Sequence, residues 1–345
     1  MRPNGSKIWD RDVFAPTPVQ MLKGHGNIVN SVVFSPDDQQ FISGSTDSTA
    51  KVWDRNSRKC IATLEGHLST LTSVAVSPDG KQVISGSYDS TAKAWDQHSG
   101  KCVATFKDHR GPITSVAVSP DGQQFFSGSF DSTVKVWDRN SGKCIAALQG
   151  HGGKVASTAI SPDTRYFISG SYGGTVNIWS CGHFRDSPGL APQSRFRQIA
   201  SRVFPAYPTI PCDATIKSYD HGFVASVAFA PEGQQFAMSS EISGTIKVWD
   251  LNSQTFLQKL QHDGIIGCIN SVIFSPDGQK IISARTNGGI KVWDRRSDRC
   301  IQTLQPNKLT GVWALAISSD SRHIASGMDD GTIMIWDYRS PARPY

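Results

Sequence analysis

The sequence lacks several features that would direct it to particular classes of protein. Its 7 cysteines form no Cys-x-x-Cys pair, which argues against a zinc site or a dithiol redox motif. The first residues, MRPNGSKIWD, hold no apolar run typical of a secretory signal, and no later run has the length of a bilayer-spanning helix. No Gly-rich phosphate-binding loop is present. We therefore predict a soluble cytoplasmic protein, with the nucleus as the alternative, that needs no metal or other cofactor.

Charge is neither abundant nor concentrated. Charged residues make up 19% of the 345 residues, and the formal net charge is +6. Because no single stretch gathers this charge, it is compatible with acidic partners and does not require nucleic acid. Four of the cysteines recur at one place in a repeated segment, as Cys60, Cys102, Cys144 and Cys300. We interpret all seven as reduced thiols of a reducing compartment.

A repeat is visible in the tryptophans. Trp53, Trp95, Trp137 and Trp179 are spaced by 42 residues, and Trp249, Trp293 and Trp336 continue at 44 and 43. The gap from Trp179 to Trp249 is 70, which is 28 more than the regular spacing. A period of this length fits a four-stranded propeller blade, with one insertion.

One repeat shows why its strands are short. The segment LTSVAVSPDG (71–80) alternates and then ends in a Ser-Pro-Asp-Gly turn, since proline at the second turn position and glycine at the fourth favour a type I turn. KQVISGS (81–87), TAKAWD (91–96) and CVATF (102–106) follow as further strands, separated by tight turns. Short runs of period two between closely spaced turns are typical of an all-β protein.

These residues carry a family resemblance. LEGH, SGSYDSTAKAWD and their copies resemble the Trp-Asp (WD) repeat family, whose repeat runs from Gly-His to Trp-Asp. The resemblance covers most of the chain and implies an all-β, seven-bladed β-propeller of four-stranded antiparallel blades around a central channel. We place the propeller at 18–340, after an N-terminal extension or partial repeat at 1–17.

The two ends of the propeller predict how the ring closes. The last repeat stops at Trp336-Asp337, after its third strand, and PVQMLKGH (18–25) matches the fourth-strand pattern CIATLEGH (60–67). We therefore expect the N-terminal strand to complete the last blade, which leaves no free edge in the ring. SKIWD (6–10) is then surplus, so either the chain is a piece of a longer repeat array or these residues fray at the surface.

In the WD family, a His, a Ser, an Asp and a Trp form a hydrogen-bonded chain within each blade. Imidazole can link a carboxylate to a hydroxyl, and the hydroxyl can accept from the indole N–H. Three repeats carry the full set, whereas Gly173, Ser243 and Asn287 replace the Asp in repeats four to six and repeat seven has no His at the motif position. Carried over by position, the members are His25, Ser43, Asp47, Trp53, His67, Ser85, Asp89, Trp95, His109, Ser127, Asp131, Trp137, His151, Ser169, Trp179, His221, Ser239, Trp249, His262, Ser283, Trp293, Ser326, Asp330 and Trp336.

The same residues raise the question of catalysis. A nucleophile, base and acid need one special constellation in a cleft, whereas these residues repeat with the blades and are expected to be buried. The repeat also places each histidine in a different blade, which argues against a metal site. We predict that the protein is not an enzyme.

The family's binding face is built from the loops before the first strand and between the second and third strands. The resemblance implies that residues just before the turn Asp, or at the start of the first strand, point onto this face. Large aromatic side chains there are favoured interface anchors. We predict a partner-binding site made of Tyr88, Phe130, Tyr172, Trp313, Asn30, Asn270 and Asp329.

The insertion spans 180–213 within the fourth repeat and predicts a second partner surface. Its five prolines argue against strands. Between them Phe196, Ile199, Ala200 and Val203 follow helical spacing with arginines around them. The segment 193–204 is therefore either a basic amphipathic helix that docks a partner or a loop that rests on the propeller.

Three functions fit these patterns. The first is a non-catalytic scaffold that assembles a multiprotein complex through peptide or protein binding. The second is a substrate receptor of a cullin ubiquitin ligase, since the family signature Trp-Asp-x-Arg ends here at Arg339 and at Arg296. The third, an RNA-associated protein, depends only on the mixture of arginine and phenylalanine in the insertion.

Overall fold

The structure, a computed structural model, describes residues 18–182, 208–218, 222–240, 242–262, 267–286, 289–306 and 310–339. Within these ranges the strands form seven sheets, one for each repeat, which confirms the predicted all-β, seven-bladed propeller. Blade one contains β2–β5, blade two β6–β9, blade three β10–β13 and β17, blade four β14–β16 and β18, blade five β19–β22, blade six β23–β26 and blade seven β27–β29 and β1. In chain order the strands are β1 Gln20–Lys23, β2 Val29–Phe34, β3 Gln40–Ser45, β4 Ala50–Asp54, β5 Cys60–Leu64, β6 Leu71–Val76, β7 Gln82–Ser87, β8 Thr91–Asp96, β9 Cys102–Lys107, β10 Ile113–Val118, β11 Gln124–Ser129, β12 Val134–Asp138, β13 Cys144–Gln149, β14 Val155–Ile160, β15 Tyr166–Ser171, β16 Thr175–Ser180, β17 Thr209–Pro211, β18 Ala214–Lys217, β19 Val224–Phe229, β20 Gln235–Ser240, β21 Thr245–Asp250, β22 Phe256–Gln261, β23 Ile269–Phe274, β24 Lys280–Arg285, β25 Ile290–Asp294, β26 Cys300–Leu304, β27 Val312–Ile317, β28 His323–Met328 and β29 Thr332–Asp337.

Local sequence explains the turn between the first two strands of a blade. In blade two the Ser77 hydroxyl donates to Asp79 Oδ1 at 2.5 Å, and the Gly80 N–H donates to the Ser77 carbonyl at 2.8 Å. Gly80 adopts a φ of 67°, which glycine reaches without the steric cost that a side chain would add. The Ser-Pro-Asp-Gly segment therefore ends one strand and aims the next back along it.

The core lies between neighbouring blades rather than inside each one. One cluster joins Ile42 and Leu64 of blade one to Leu71, Val74 and others of blade two, all buried. The spacing is tight, because a Cβ on Gly86 would lie 2.6 Å from a methyl carbon of Ile113 in the next blade. The glycine of each Ser-Gly-Ser strand is thus a packing requirement between blades.

The ring closes as the sequence predicts. Strand β1 pairs antiparallel with β29, with Gln20 opposite Ile335 and Lys23 opposite Thr332. Leu22 is 6% exposed and joins a core cluster that contains Val29 of blade one. The N-terminal strand therefore completes blade seven and seals it against blade one.

The end of the insertion contradicts the prediction that its prolines exclude strands. Thr209–Pro211 forms β17, which pairs in parallel with β13 as a fifth strand of blade three. The Ala147 N–H donates to the Pro208 carbonyl at 3.0 Å, and Ile210 packs on the core between blades three and four. Proline is tolerated because β17 is the outermost strand, so its missing N–H breaks no ladder bond. Residues 183–207, with the predicted segment at 193–204, and residues 1–17 lie outside the described ranges.

Candidate functional site

Three of the predicted site residues occupy equivalent, rigidly held positions on one face of the ring. Tyr88, Phe130 and Tyr172 each follow the second strand of their blade, at the turn to the third strand. The backbone N–H of each donates, at 2.9 Å, to the carbonyl of the residue that precedes the first strand of the same blade, as Tyr88 does to Thr70. The repeat therefore fixes where each aromatic ring is attached.

The three rings form a continuous arc with a fourth. Tyr88 and Phe130 have ring centroids 5.5 Å apart at an interplanar angle of 68°, and Phe130 and Tyr172 are 6.4 Å apart at 87°. Tyr172 in turn meets Phe223 at 5.4 Å and 68°. We call these four residues the aromatic arc. It crosses blades two to five, and each contact has the edge-to-face geometry that aromatic pairs favour.

Phe223 was missed by the sequence reasoning, although a signal for it was available. It stands immediately before β19, at the position that Lys154 holds before β14 and Pro112 before β10. Aligning the residue before the first strand in every repeat would have shown one large aromatic at this position. The face is therefore built by two sets of loop positions, and the arc draws on both.

The arc is accessible and carries one adjacent cation. Tyr88 is 45% exposed and Phe223 is 41% exposed, and the neighbouring Leu68 is 90% exposed. The Lys154 ammonium lies 4.2 Å from the centre of the Phe130 ring. Contiguous apolar surface that faces solvent is typical of a binding site. The lysine gives this one a positive charge over an aromatic face.

Two predicted site residues have a different role in the structure. The Asn30 side-chain amide donates to the Leu71 carbonyl of blade two at 2.7 Å, and the Asn270 amide donates to the Val312 carbonyl of blade seven at 3.1 Å. Both amides reach across a blade junction. Each amide therefore uses a donor within the ring, and a role of Asn30 and Asn270 in partner binding stays a prediction.

Trp313 and Asp329 lie in blade seven, away from the arc. Within the described residues Trp313 makes no ring contact with the arc, and its buried indole N–H has no hydrogen-bond partner. Asp329 Oδ2 accepts from the Gly311 N–H at 2.8 Å. Blade one stands between these residues and Tyr88 in blade two. Within the described residues the three aromatics contact one another and none contacts Trp313, and the prediction that all of them form one partner site stays a prediction.

The hydrogen-bonded chain is complete in blades one to three, and blade two shows its geometry. His67 Nδ1 lies 2.8 Å from Asp89 Oδ2, and His67 Nε2 lies 2.8 Å from Ser85 Oγ. The Trp95 indole N–H donates to the same hydroxyl oxygen at 2.8 Å. Blades one and three repeat these contacts at 2.7 or 2.8 Å. A neutral imidazole that donates from Nδ1 and accepts at Nε2 satisfies every member.

Electrostatics hold this chain in one protonation state. Burial alone would raise the pKa of Asp89, but hydrogen bonds from Thr91, the Leu68 N–H and His67 outweigh it and lower the pKa to about 2. Burial lowers the pKa of His67 more than the nearby carboxylate raises it. Ser85 is fully buried. Asp89, His67 and Ser85 thus form a structural hydrogen-bonded chain with an ionised carboxylate, and its hydroxyl is inaccessible to a substrate.

Blades four and five depart from the predicted chain. In blade four His151 Nε2 lies 2.5 Å from Ser169 Oγ, yet the Trp179 indole N–H has no partner within the described residues. In blade five the Ser239 hydroxyl donates to the Ile269 carbonyl at 3.0 Å, and the Trp249 indole N–H has no partner within the described residues. The predicted serine–tryptophan bonds are therefore wrong in these two blades, and both lack the turn aspartate. His221 lies outside the described residues.

Blades six and seven keep part of the chain. The Trp293 N–H donates to Ser283 Oγ at 2.9 Å, and His262 Nε2 lies 2.7 Å from the same oxygen. The Trp336 N–H donates to Ser326 Oγ at 2.9 Å. Blade seven has no histidine at the position that His67 holds in blade two, and its Asp330 accepts from the Thr332 N–H at 3.0 Å.

The missing carboxylate of blade four predicts a pH dependence. Burial lowers the pKa of His151 from 6.5 to about 4. The unfolded chain therefore binds the proton first as the pH falls below 6.5, so the stability contributed by the neutral imidazole is full above that pH and is lost towards pH 4. We expect the difference in unfolding free energy between the wild type and His151→Gln to shrink by on the order of 2 kcal/mol between pH 7 and pH 4. Urea titrations at each pH measure it, and a constant difference would contradict it.

The two arginines of the ligase signature are exposed. Arg296 follows β25 of blade six, and Arg339 follows β29 of blade seven. The Arg339 guanidinium lies 3.9 Å from the Asp277 carboxylate, and its backbone N–H donates to Asp337 Oδ1 at 3.2 Å. Both side chains are placed where a partner could reach them.

In the described part of the chain, no group of three or more His, Cys, Asp or Glu side chains is arranged to hold a metal ion. No helical segment there combines the length and the apolar character that crossing a bilayer requires.

Comparison with known proteins finds similarity in single repeats. One segment is 43% identical over 56 residues to small ribosomal subunit protein RACK1 of Caenorhabditis elegans, which is 14% of this chain and 17% of that protein. Another is 44% identical over 55 residues to ribosome biogenesis protein YTM1 of Pyricularia oryzae, 16% of this chain and 11% of that protein. A third is 55% identical over 38 residues to vegetative incompatibility protein HET-E-1 of Podospora anserina, 11% of this chain and 3% of that protein. The chain thus matches at most 17% of the length of these relatives.

The family comparison covers the whole ring. The model described as WD domain, G-beta repeat matches at residues 16–54, 58–96, 100–138, 142–180, 212–250, 254–294 and 298–337. Each of these seven matches contains the fourth strand of one blade followed by the first three strands of the next, and the insertion falls in the gap between the fourth and fifth matches. The chain therefore belongs to the WD-repeat family.

Proposed function

We propose that this protein is a non-catalytic scaffold that binds partner proteins on the aromatic arc. The observation that carries the proposal is the unbroken edge-to-face series from Tyr88 to Phe223 on one accessible face. Folding explains the repeated tryptophans of the blades, but it does not require four linked aromatics at loop positions. Exposed rigid aromatics supply much binding energy for little loss of side-chain entropy.

The chemistry of the arc indicates the kind of partner. Lys154 covers Phe130 and is exposed, as is Arg110 on the loop of blade three. The carboxylates of Asp89 and Asp131 nearby are occupied by their histidines. A segment with apolar or aromatic side chains next to an acidic residue would match both the rings and the free cations.

The test is a triple substitution with a matched control. We expect Tyr88→Ala, Phe130→Ala and Tyr172→Ala together to weaken binding of the co-purifying partners by about 30-fold or more. The control triple is Ile61→Ala, Val103→Ala and Ile301→Ala, because these side chains are 51%, 54% and 49% exposed on the outer strands. Quantitative affinity purification of both variants, with melting temperatures alongside, gives the readout. Equal retention of partners by the two triples would place the site elsewhere.

A second candidate function is a part in ribosome assembly. It is favoured by similarity to a small ribosomal subunit protein, RACK1, and to a ribosome biogenesis protein, YTM1, although the matched segments are only slightly longer than one repeat. If the protein acts in ribosome assembly, it co-sediments with ribosomal particles in a sucrose gradient. The variant with Tyr88→Ala, Phe130→Ala and Tyr172→Ala then shifts to the fraction of free protein. Sedimentation only as free protein would leave the general scaffold and remove this specific role.

The cullin ligase function remains a prediction with its own test. The exposed Arg339 and Arg296 would contact the ligase adaptor. We expect adaptor co-purification to fall about 10-fold or more in the double variant Arg339→Ala and Arg296→Ala, since each loses a charge-assisted bond. Binding that does not change in this variant would exclude it.

A further inference from the structure

The face opposite the aromatic arc contains a recurring contact between blades. The residue after Trp-Asp is an arginine in blades one, three and six, and each reaches the first turn of the preceding blade. Arg139 Nη2 donates to Asp79 Oδ2 at 3.0 Å, and Arg295 Nη2 donates to Glu232. Arg55 lies 3.9 Å from the corresponding Asp320. The rule is that a turn carboxylate receives a guanidinium from the next blade.

The guanidinium occupies a defined slot at these junctions. Arg295 Nη1 donates at 2.9 Å to the carbonyl of Gly278, the turn glycine of its own blade. A Cβ built on the equivalent Gly122 would lie 3.1 Å from Arg139 Nη1 and 3.5 Å from Pro78 of the preceding blade. The slot therefore consists of a glycine carbonyl, a proline ring and a carboxylate, which suits a planar cation with several donors.

The junction between blades one and two has the same slot without an arginine. Gln97 takes its place and donates sideways to Gln40 Oε1 at 2.8 Å, while its own Oε1 is buried without a partner in the described residues. Asp37 Oδ1 accepts from the Ser35 hydroxyl and from the backbone at 3.0 Å or less, which lowers the pKa of this carboxyl and keeps it ionised. Within the described residues no cation lies within 4 Å of the Asp37 carboxylate. A Cβ built on the neighbouring Gly80 would have only Pro36 within 4 Å, at 3.9 Å, so the space that an arginine fills at the other junctions is open here.

A cavity of about 540 Å³ opens at this junction. Its charged lining comprises the carboxylates of Asp37, Asp79 and Asp96 together with the side chains of Lys81 and His98. Lys81 is exposed and makes no ion pair with the three carboxylates. Asp79 is already paired with Arg139, so the carboxylate at this junction that has no cation within the described residues is Asp37, next to the proline wall seen at the other junctions.

We propose that this groove between blades one and two binds the guanidinium of an arginine from a partner protein. The side chain would enter between Pro36 and Gly80, pair with Asp37 and donate to the Gly80 carbonyl, as Arg295 does with Glu232 and the Gly278 carbonyl at its own junction. The site lies on the other face from the arc, so one partner can hold the arc while another uses the groove. An arginine is favoured over a lysine because the slot offers acceptors at two separated points.

The test uses a small probe and two variants. N-acetyl-arginine N-methylamide is titrated into the full chain while backbone amide signals are recorded by NMR. We expect saturable shifts at Asp37, Gln39 and Gly80, at least about 10-fold weaker with the uncharged N-acetyl-citrulline N-methylamide. Gln97→Arg supplies the guanidinium from within and is expected to abolish the shifts and raise the melting temperature. Asp37→Asn is expected to abolish them as well.

Several outcomes would overturn the proposal. One is equal binding of the arginine and citrulline probes, and another is unchanged binding in Gln97→Arg. Because Asp37→Asn can disturb the turn, Gln97→Arg is the decisive variant, and its melting temperature shows whether it folds. N-acetyl-lysine N-methylamide is titrated in the same way, and a larger effect of this probe than of the arginine probe would mean a simple charge patch and not a guanidinium slot. Failure here leaves the arc proposal untouched, since the two sites share no residue.

Discussion

Replacing Leu22 with alanine is expected to lower the free energy of unfolding by about 3 kcal/mol, as removal of a buried leucine typically does. Leu22 is 6% exposed and belongs to the cluster with Val29 and Trp53 of blade one. It pairs with Ile333 in the strand that closes the ring. The substitution leaves a cavity where blades seven and one meet, so it weakens the closure as well as local packing. Equilibrium unfolding in urea gives the free energy.

Met21 provides the matched control. It is the preceding residue of the same strand, pairs with Met334, and is 52% exposed. Met21→Ala shortens a side chain of similar size with the same backbone pairing, and its expected cost is below about 0.5 kcal/mol, as for other surface positions. Equal losses in the two variants would show that strand propensity, not packing at the closure, governs this segment.

Replacing Asp131 with alanine is expected to cost about 2 kcal/mol or more, because the buried His109 ring and further donors lose the carboxylate that accepts from them. Asp131 Oδ2 lies 2.7 Å from His109 Nδ1 and accepts from the Arg110 N–H at 2.9 Å. Its other oxygen accepts from Thr133 at 2.6 Å. These bonds attach the loop before the first strand to the turn, so that loop should open as well. Thermal unfolding and hydrogen exchange of Arg110 would report both effects.

The reverse change is available in blade four. Gly173 stands where the aspartate would be, and its φ is not in the left-handed region, so a side chain is allowed. The nearest contact of a new Cβ is 3.2 Å from Ser171 Oγ, a small hydroxyl that can shift. Gly173→Asp is expected to raise stability by about 1 kcal/mol, through bonds to His151 and its loop. It should also raise the pKa of His151 towards that of a paired imidazole. A loss of stability would show that blade four has adapted to the absence of the carboxylate.

The fold was predictable because its cause is local and repeated. Each Ser-Pro-Asp-Gly turn and each Ser-Gly-Ser strand favours the same local geometry, and the spacing of the tryptophans indicates the number of blades. Closure was predictable for the same reason. PVQMLKGH carries a fourth-strand pattern, and the last repeat stops after its third strand. The attachment points of Tyr88, Phe130 and Tyr172 followed from their place in the repeat.

The remainder depends on contacts between positions that the repeat does not specify. The bond from the Trp249 indole N–H to Ser239 depends on where the Ser239 hydroxyl lies. Here that hydroxyl donates to the Ile269 carbonyl of the next blade. Thr209–Pro211 has no strand pattern of its own and is held by the exposed edge of β13. Trp313 was grouped with the arc by size alone, and its distance from the arc is a matter of blade order, which residue type does not express.

The pairing of Lys23 with Thr332 has a consequence for how the protein is made. A ribosome must deliver more than 300 residues between these partners, so the wall of blade one that receives Leu22 stays uncovered for most of synthesis. Until the last strand emerges, the ring of the nascent protein is open, and the apolar faces of the blades at its two ends are exposed. Its yield in the cell should therefore depend on a chaperone that shields those flanks, far more than the stability of the finished ring would suggest.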